Sequence, residues 1–234
     1  MKVVILAGGF GTRISEETEH KPKPMVTIDG VPILHHLMQV YALNGITDFV
    51  VACGYRKEVI FEWIEKSDFG SWNVQAIDTG LETQTAGRIR KCMEFLPNED
   101  LLVSYGDGLG NVDIQKSIEL FRETEALVVV TAVRPPARFG LMQMDGTLVT
   151  HFAEKDHTQS DWINGGFFVV SAKVKNLIQA DSESFEFTTL PSITHLGRVH
   201  ALFHHGFWKP MDTLREKNEL EELAKLIPPP WLNS

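Results

Sequence analysis

The sequence has two cysteines in 234 residues, Cys53 and Cys92, and they show no Cys-x-x-Cys spacing. A disulfide-stapled secreted fold and a zinc ribbon are excluded on that count. Nine histidines include the pairs His35-His36 and His204-His205, but His-Glu-x-x-His is missing, which removes the common zinc-hydrolase pattern. Positive charge is in deficit: 22 Lys plus Arg face 31 Asp plus Glu, a formal net charge of −9. Such a chain is a poor non-specific binder of nucleic acid or of an anionic membrane surface. Long apolar runs are lacking as well. The uncharged stretch 30–47 carries Pro32, His35, His36, Gln39 and Asn44, a poor match to hydrocarbon. The apolar run at residues 3–7 stops at Gly8-Gly9 and is too short for a signal peptide. These absences predict a cytoplasmic setting. Internal repeats, low-complexity tracts and linker-like shifts are also missing, so one domain spanning 1–234 is expected.

What is present is an alternation of short apolar runs with amphipathic segments. Residues 3–7 read as a strand buried on both faces. Leu34, Leu37, Met38 and Tyr41 follow at helical spacing, with Pro32 in the first turn and Asn44-Gly45 as the stop. Residues 49–53 form the next strand, then Val59, Ile60, Trp63 and Ile64 mark a second helical face. Further strands are expected at 74–77, 101–105 and 127–133, with a helix carrying Ile114, Ile118 and Phe121 between the last two. This grammar predicts an α/β fold with helices on both sides of a parallel sheet. Beyond residue 134 it changes. A hairpin turning at Asp145-Gly146 and strands at 166–170 and 199–203 predict a mixed C-terminal portion.

The chemistry-bearing residues concentrate first in Gly8-Gly9-Phe10-Gly11-Thr12-Arg13 and Lys21-Pro22-Lys23-Pro24-Met25. A glycine-rich loop after a buried strand lets backbone N–H groups approach a phosphate chain. Arg13 as a planar fork and Lys23 as a point charge can then orient that chain. A dinucleotide-binding loop fits less well, because the third glycine is missing and Pro22 and Pro24 interrupt the required helix. No Gly-x-x-x-x-Gly-Lys-Ser/Thr exists either. The plain alternative is a strand-to-loop turn. Asp107, between Gly106 and Gly108, follows an apolar strand and falls where open α/β sheets bind ligands. Asp212 precedes Thr213-Leu214-Arg215-Glu216, a capping box, so it also suits a helix N-terminus. Ser104 lacks the leading glycine of a nucleophile elbow.

Leu6-Ala7-Gly8-Gly9-Phe10-Gly11-Thr12-Arg13 followed by Lys-Pro-Lys-Pro-Met resembles the signature of the sugar-1-phosphate nucleotidylyltransferases. Cys53-Gly54-Tyr55, Asp78-Thr79-Gly80, Tyr105-Gly106-Asp107-Gly108, Arg138-Phe139-Gly140 and Asn164-Gly165-Gly166 continue the resemblance. The run from Gly206 to Arg215, Gly-Phe-Trp-Lys-Pro-Met-Asp-Thr-Leu-Arg, extends it toward the glucose-1-phosphate cytidylyltransferase branch. The resemblance covers nearly the whole chain. It implies a Rossmann-like nucleotidyltransferase domain with a mixed, mostly parallel central sheet and a smaller C-terminal β/helix portion. It implies that CTP and glucose 1-phosphate give CDP-glucose and pyrophosphate, with Mg²⁺ as cofactor.

By the same resemblance Leu6, Ala7, Gly8, Gly9, Gly11, Thr12, Arg13, Lys23 and Asp107 contact the nucleotide, and Arg13 and Lys23 are catalytic. Thr79, Gly80, Gly87 and Arg88 match the base-recognition segment, with Arg88 a donor toward a cytosine carbonyl. Gly140, Glu154, Lys155, Asn164 and Gly165 match the sugar-phosphate side, and Asp107 and Asp212 match the metal positions. Ala86 stands where the family pattern has glycine, Asp156 where it has proline, and the segment 55–72 is shorter than in that branch. A homo-oligomer is therefore left open. The rival readings are a UTP- or dTTP-dependent enzyme, a cytidylyltransferase with another phosphorylated acceptor, and a non-catalytic nucleotide-sugar-binding regulatory module.

Overall fold

The computed structural model describes residues 1–135, 141–153 and 161–233. The strands in chain order are β1 Val3–Ala7, β2 Thr27–Ile28, β3 Val31–Pro32, β4 Asp48–Cys53, β5 Asn73–Asp78, β6 Leu101–Tyr105, β7 Gly108–Gly110 and β8 Val128–Val133. They continue as β9 Leu141–Asp145, β10 Leu148–Ala153, β11 Ile163–Val170, β12 Val199–His204 and β13 Trp208–Pro210. The helices are α1 Ser15–Thr18, α2 Ile33–Leu43, α3 Lys57–Lys66, α4 Thr85–Phe95, α5 Ile114–Glu123, α6 Leu190–Thr194 and α7 Leu214–Ala224.

Seven strands form one sheet in the order β12-β8-β11-β6-β1-β4-β5. All neighbours in it run parallel except β11, which is antiparallel to both β6 and β8. The mixed, mostly parallel sheet implied by the family resemblance is the one observed. Every residue of β1 is buried, as a central strand covered on both faces requires. Its alternation divides the core in two. Val3 and Ile5 pack in the cluster holding Leu34, Leu37, Met38 and Tyr41 of α2, Ile60 of α3 and Ile114, Ile118 and Phe121 of α5. Val4 and Leu6 pack in the other, with Ile89, Cys92 and Met93 of α4. The edge strand β5 alternates exposed and half-buried positions from Asn73 to Ala76, with Val74 and Ala76 on the first cluster, and Ile77 packs on the second.

Helix α2 stops where Gly45 takes φ +78°, a left-handed conformation that glycine adopts without steric cost. Pro32 sits one residue before the helix, paired with Thr27 in the β2–β3 hairpin, rather than in the first turn. The hairpin β9–β10 turns at Asp145-Gly146 as expected, with Gly146 at φ +58°. The antiparallel ribbon of β7 and β13 was not legible in the sequence. Gly-Leu-Gly has weak strand propensity, and only its partner from the far end of the chain makes it a strand.

The strand order reverses direction at β1 and β6. Chain excursions from β1 reach β4 and β5 on one side, and later strands fill the other. Open α/β sheets bind ligands at the carboxyl ends of strands where the order reverses. The glycine-rich loop leaves β1 there, beside Tyr105-Gly106-Asp107 leaving β6, with Leu6 in register with Tyr105. Among the described residues no helix is long and apolar enough to cross a membrane.

Candidate active site

Three segments distant in sequence meet at this edge. The first turns at Gly11, whose φ of +66° and tight fit against Thr18 and Lys23 disfavour any side chain there. Thr18 Oγ1 donates to Gly11 O at 3.0 Å and fixes the loop. Pro22 then sets up the turn Lys23–Met25, which buries Lys23 to 8% exposure. The second segment is Asp107, just beyond β6. The third is Asp212, just beyond β13. Because β7 pairs with β13 as Gly108 to Pro210, and Met211 N donates to Asp107 O at 2.8 Å, the two aspartates lie side by side.

Lys23 Nζ joins them, donating to Asp107 Oδ2 at 2.7 Å and Asp212 Oδ1 at 2.6 Å. Arg13 Nη1 donates to Asp212 Oδ2 at 2.6 Å. Burial disfavours a charged Lys23, but the facing carboxylates outweigh it and hold the ammonium above the usual lysine range. Burial likewise works to raise Asp212. Lys23 and Arg13 prevail and keep its carboxyl below the ordinary value. Two cations and two anions are therefore matched in one cluster, with Arg13 exposed toward solvent. Thr213, not Asp212, is the N-cap of α7, and Glu216 completes the capping box. Glu216 Oε2 also accepts from Asp212 N at 2.8 Å, so the cap and the cluster share a turn.

Around this cluster Leu6, Ala7 and Gly8 are buried at the end of β1, while Gly9 and Thr12 are exposed. Arg88 differs from the expected base-facing donor. It is 4% exposed, and its guanidinium donates to Cys53 O at 3.0 Å, Gly80 O at 2.9 Å, Gly8 O at 3.1 Å and Leu81 O at 3.2 Å. Thr79 Oγ1 accepts from it too. One planar fork of donors bridges carbonyls at the ends of β1, β4 and β5, although Gly8 O and Cys53 O also accept from Tyr55 N at 3.2 Å and Thr79 N at 2.9 Å. Arg88 is thus a bracket beneath the Thr79-Gly80 segment. Gly8 lacks a Cβ for the same reason, since one would lie 2.1 Å from the guanidinium. Gly87 is buried in α4, where a Cβ would come within 2.4 Å of Asp181 O. Helix packing accounts for this glycine.

On the other side, Asn164 and Gly165 lie on β11 at its register shift against β8. Trp208 Nε1 donates to Gly165 O at 2.8 Å and ties this turn to the β7–β13 ribbon. Asn164 Nδ2 donates to Tyr105 Oη at 2.9 Å. Gly140, Glu154 and Lys155 lie outside the described residues, as do Arg138, Phe139 and Asp156. Glu186 was not singled out in the sequence, and no local pattern marks it, because its partners Tyr105 and Thr85 are distant along the chain. It accepts from Tyr105 Oη. Among the described residues no group of three or more His, Cys, Asp or Glu converges. Burial pushes the thiols of Cys53 and Cys92 up to about 12, which leaves neither suited to nucleophilic chemistry.

Fold and site define a nucleotide-handling α/β protein with a charge-matched Lys, Arg and Asp cluster at the sheet's switch point. Residues 2–210 match the family model described as nucleotidyl transferase, and the chain belongs to that family. It is 40% identical to the glucose-1-phosphate cytidylyltransferase of Salmonella typhi, with 99% of this chain and 98% of the relative aligned. Identity to the probable glucose-1-phosphate cytidylyltransferase of Bacillus subtilis is 34%, over 95% and 96%. The crystal structure of HddC from Yersinia pseudotuberculosis superposes with a TM-score of 0.77 at 26% identity, covering 96% of this chain and 99% of that one.

Proposed function

We propose that this chain transfers the cytidylyl group of CTP to glucose 1-phosphate, giving CDP-glucose and pyrophosphate. The observation that carries this reading is the convergence of Lys23, Arg13, Asp107 and Asp212 at the open edge of the sheet. Full-length similarity to cytidylyltransferases supports the choice of nucleotide and acceptor.

In the reaction a phosphate oxygen of glucose 1-phosphate attacks the α-phosphorus of CTP in line. The bond from that phosphorus to the bridging oxygen breaks, and pyrophosphate departs with the electron pair. Both reactants are polyanions, so the protein's contribution is positioning and charge stabilisation. Arg13, exposed and paired with Asp212, orients the triphosphate beside the exposed backbone of Gly9 and Thr12. Lys23, buried and fully charged, sits where negative charge grows on the reacting phosphates. Asp212 holds both cations in place until phosphate oxygens compete for them.

The donor set also fits a hard divalent cation. Asp107 and Asp212 already converge on one positive centre, the Lys23 ammonium, and offer only carboxylate oxygen. Mg²⁺ held by Asp107 and Asp212 would supply charge screening to the triphosphate.

The test is pyrophosphate release from a panel of CTP, UTP, dTTP, ATP and GTP, each with glucose 1-phosphate and other sugar phosphates. The highest kcat/KM is expected for CTP with glucose 1-phosphate. A preference for UTP or dTTP overturns the nucleotide assignment, and absence of turnover throughout overturns the enzymatic one.

A further inference from the structure

Tyr105 stands at the carboxyl end of β6, two residues before Asp107, and its ring packs edge-on against Phe168, which packs edge-on against Phe185. The ring also occupies the space of a side chain at Gly166, where a Cβ would come within 2.5 Å of Tyr105 Cδ2. Its hydroxyl is doubly engaged. It accepts from Asn164 Nδ2 at 2.9 Å and donates to Glu186 Oε1. Burial, reinforced by the Glu186 carboxylate, pushes the phenol well above its ordinary range and keeps the proton on Tyr105. The direction of the bond is thereby fixed from Asn164 through Tyr105 to Glu186. Asn164 Oδ1 in turn accepts from Gly166 N at 2.8 Å, so the amide cannot flip without breaking two bonds.

The second oxygen of Glu186 is held as firmly. Oε2 accepts from Thr85 Oγ1 and from Ser184 Oγ, each at 2.7 Å. Thr85 opens α4, the helix that carries Arg88, and its hydroxyl oxygen accepts from Phe185 N at 2.8 Å. Glu186 lies in the π-helical turn Phe185–Thr189, a geometry found mostly in short pieces and often near functional sites. One carboxylate thus connects the helix beneath Thr79-Gly80, the strand end leading to Asp107, and the Asn164 turn. A carboxylate gathering three hydroxyl donors is a strong, charge-assisted junction.

We propose that Glu186 is a positioning residue for the sugar-phosphate side of the site, acting through Tyr105 to fix the Asn164-Gly165 turn. This inference rests on the cytidylyl-transfer reading for its substrate, and on the family resemblance that matches Asn164 and Gly165 to the sugar-phosphate side. Glu186 itself touches no reactant. Its effect is selective: the turn next to the acceptor depends on the relay, whereas the Lys23 cluster is held separately by Asp107 and Asp212.

Glu186→Ala, Glu186→Gln, Tyr105→Phe and the Glu186→Ala/Tyr105→Phe double variant of the full chain test this. Glu186→Ala is expected to raise KM for the sugar phosphate roughly tenfold, the scale of a lost charge-assisted hydrogen bond. KM for CTP stays within about twofold. Tyr105→Phe reproduces the effect, the double variant is no worse than either single one, and Glu186→Gln, which keeps an acceptor, recovers most of the loss. Equal changes in both KM values, no change in either, or additive losses overturn the proposal. The side-chain amide resonances of Asn164 provide a readout independent of turnover. They shift in Glu186→Ala and Tyr105→Phe if the relay operates, and unmoved resonances in either variant overturn it. A wild-type protein that releases no pyrophosphate from any pair sinks the cytidylyl reading alone, and the Asn164 resonances still decide the relay.

Discussion

Lys23 Nζ lies 2.6 Å from Asp212 Oδ1 although 189 residues separate them along the chain. The same ammonium meets Asp107 at 2.7 Å, so one lysine holds together two carboxylates that would otherwise repel. The strand pairing of β7 with β13 brings the aspartates side by side, and the Pro22-anchored turn delivers the lysine.

Lys23→Ala is expected to lower kcat/KM by roughly 10²–10³, the scale of removing one preorganised charge from a site where negative charge develops. Lys23→Arg should not restore it, because a planar fork cannot replace a point charge seated between two carboxylates. Pyrophosphate release, followed together with the melting temperature, separates lost chemistry from lost folding. Activity within about tenfold of wild type in a folded Lys23→Ala protein would contradict the assigned role.

Arg88→Lys removes the fork that serves the carbonyls of Gly8, Cys53, Gly80 and Leu81. A lysine ammonium cannot make all of these bonds at once, so part of the network around a buried cation is lost. The expected cost is roughly 2–4 kcal/mol of unfolding free energy, read by urea denaturation. An unchanged denaturation midpoint would show that the bracket is dispensable.

His35 sits among aromatic rings, stacked on Trp72 at 5.3 Å and Phe69 at 6.2 Å and edge-on to Trp63 at 6.3 Å. Burial, with a smaller contribution from His36, lowers its pKa below 6.5. The unfolded chain therefore takes up this proton first as pH falls. Stability from His35 is complete above 6.5 and declines from there toward the folded-state pKa, by at most about 1.4 kcal/mol per pH unit. His35→Phe removes that decline. Urea midpoints at neutral and mildly acidic pH should then converge in the variant relative to wild type, and parallel losses in both would exclude His35 as the titrating group.

Thr213→Ala breaks the capping box that starts α7, in which Thr213 Oγ1 accepts from Glu216 N at 3.2 Å and Glu216 returns the bond. The expected loss is about 1 kcal/mol, seen as a lower melting temperature. Asp212 sits immediately before this cap, so a modest rise in KM for CTP should accompany it. Melting and kinetics that both match wild type would show the cap to be without influence.

Much of this molecule was legible residue by residue. The central strands follow from runs of β-branched residues, and α2, α3 and α5 from apolar spacing, because burial on a sheet or a helix face imposes a period that any reader of the sequence can count. The Asp145-Gly146 turn and the Thr213–Glu216 capping box are local too, since their bonds close within a few residues. Lys23, Arg13, Asp107 and Asp212 could each be named from flanking motifs.

Their relationship could not. The sequence by itself determined the alternation of elements, the two covered faces of β1 and the residue types at the site. Tertiary structure alone decided that Gly108–Gly110 becomes a strand, since its hydrogen-bonding partner arrives from Trp208–Pro210. It turned Arg88 inward, where one guanidinium bridges carbonyls at three strand ends. It also made Glu186 a junction, which no spacing reveals when Tyr105 and Thr85 reach it from distant parts of the chain. Local patterns are set by periodicity over a few residues. Long-range hydrogen bonds depend on how the sheet orders its strands, and that order is fixed only when the whole chain packs.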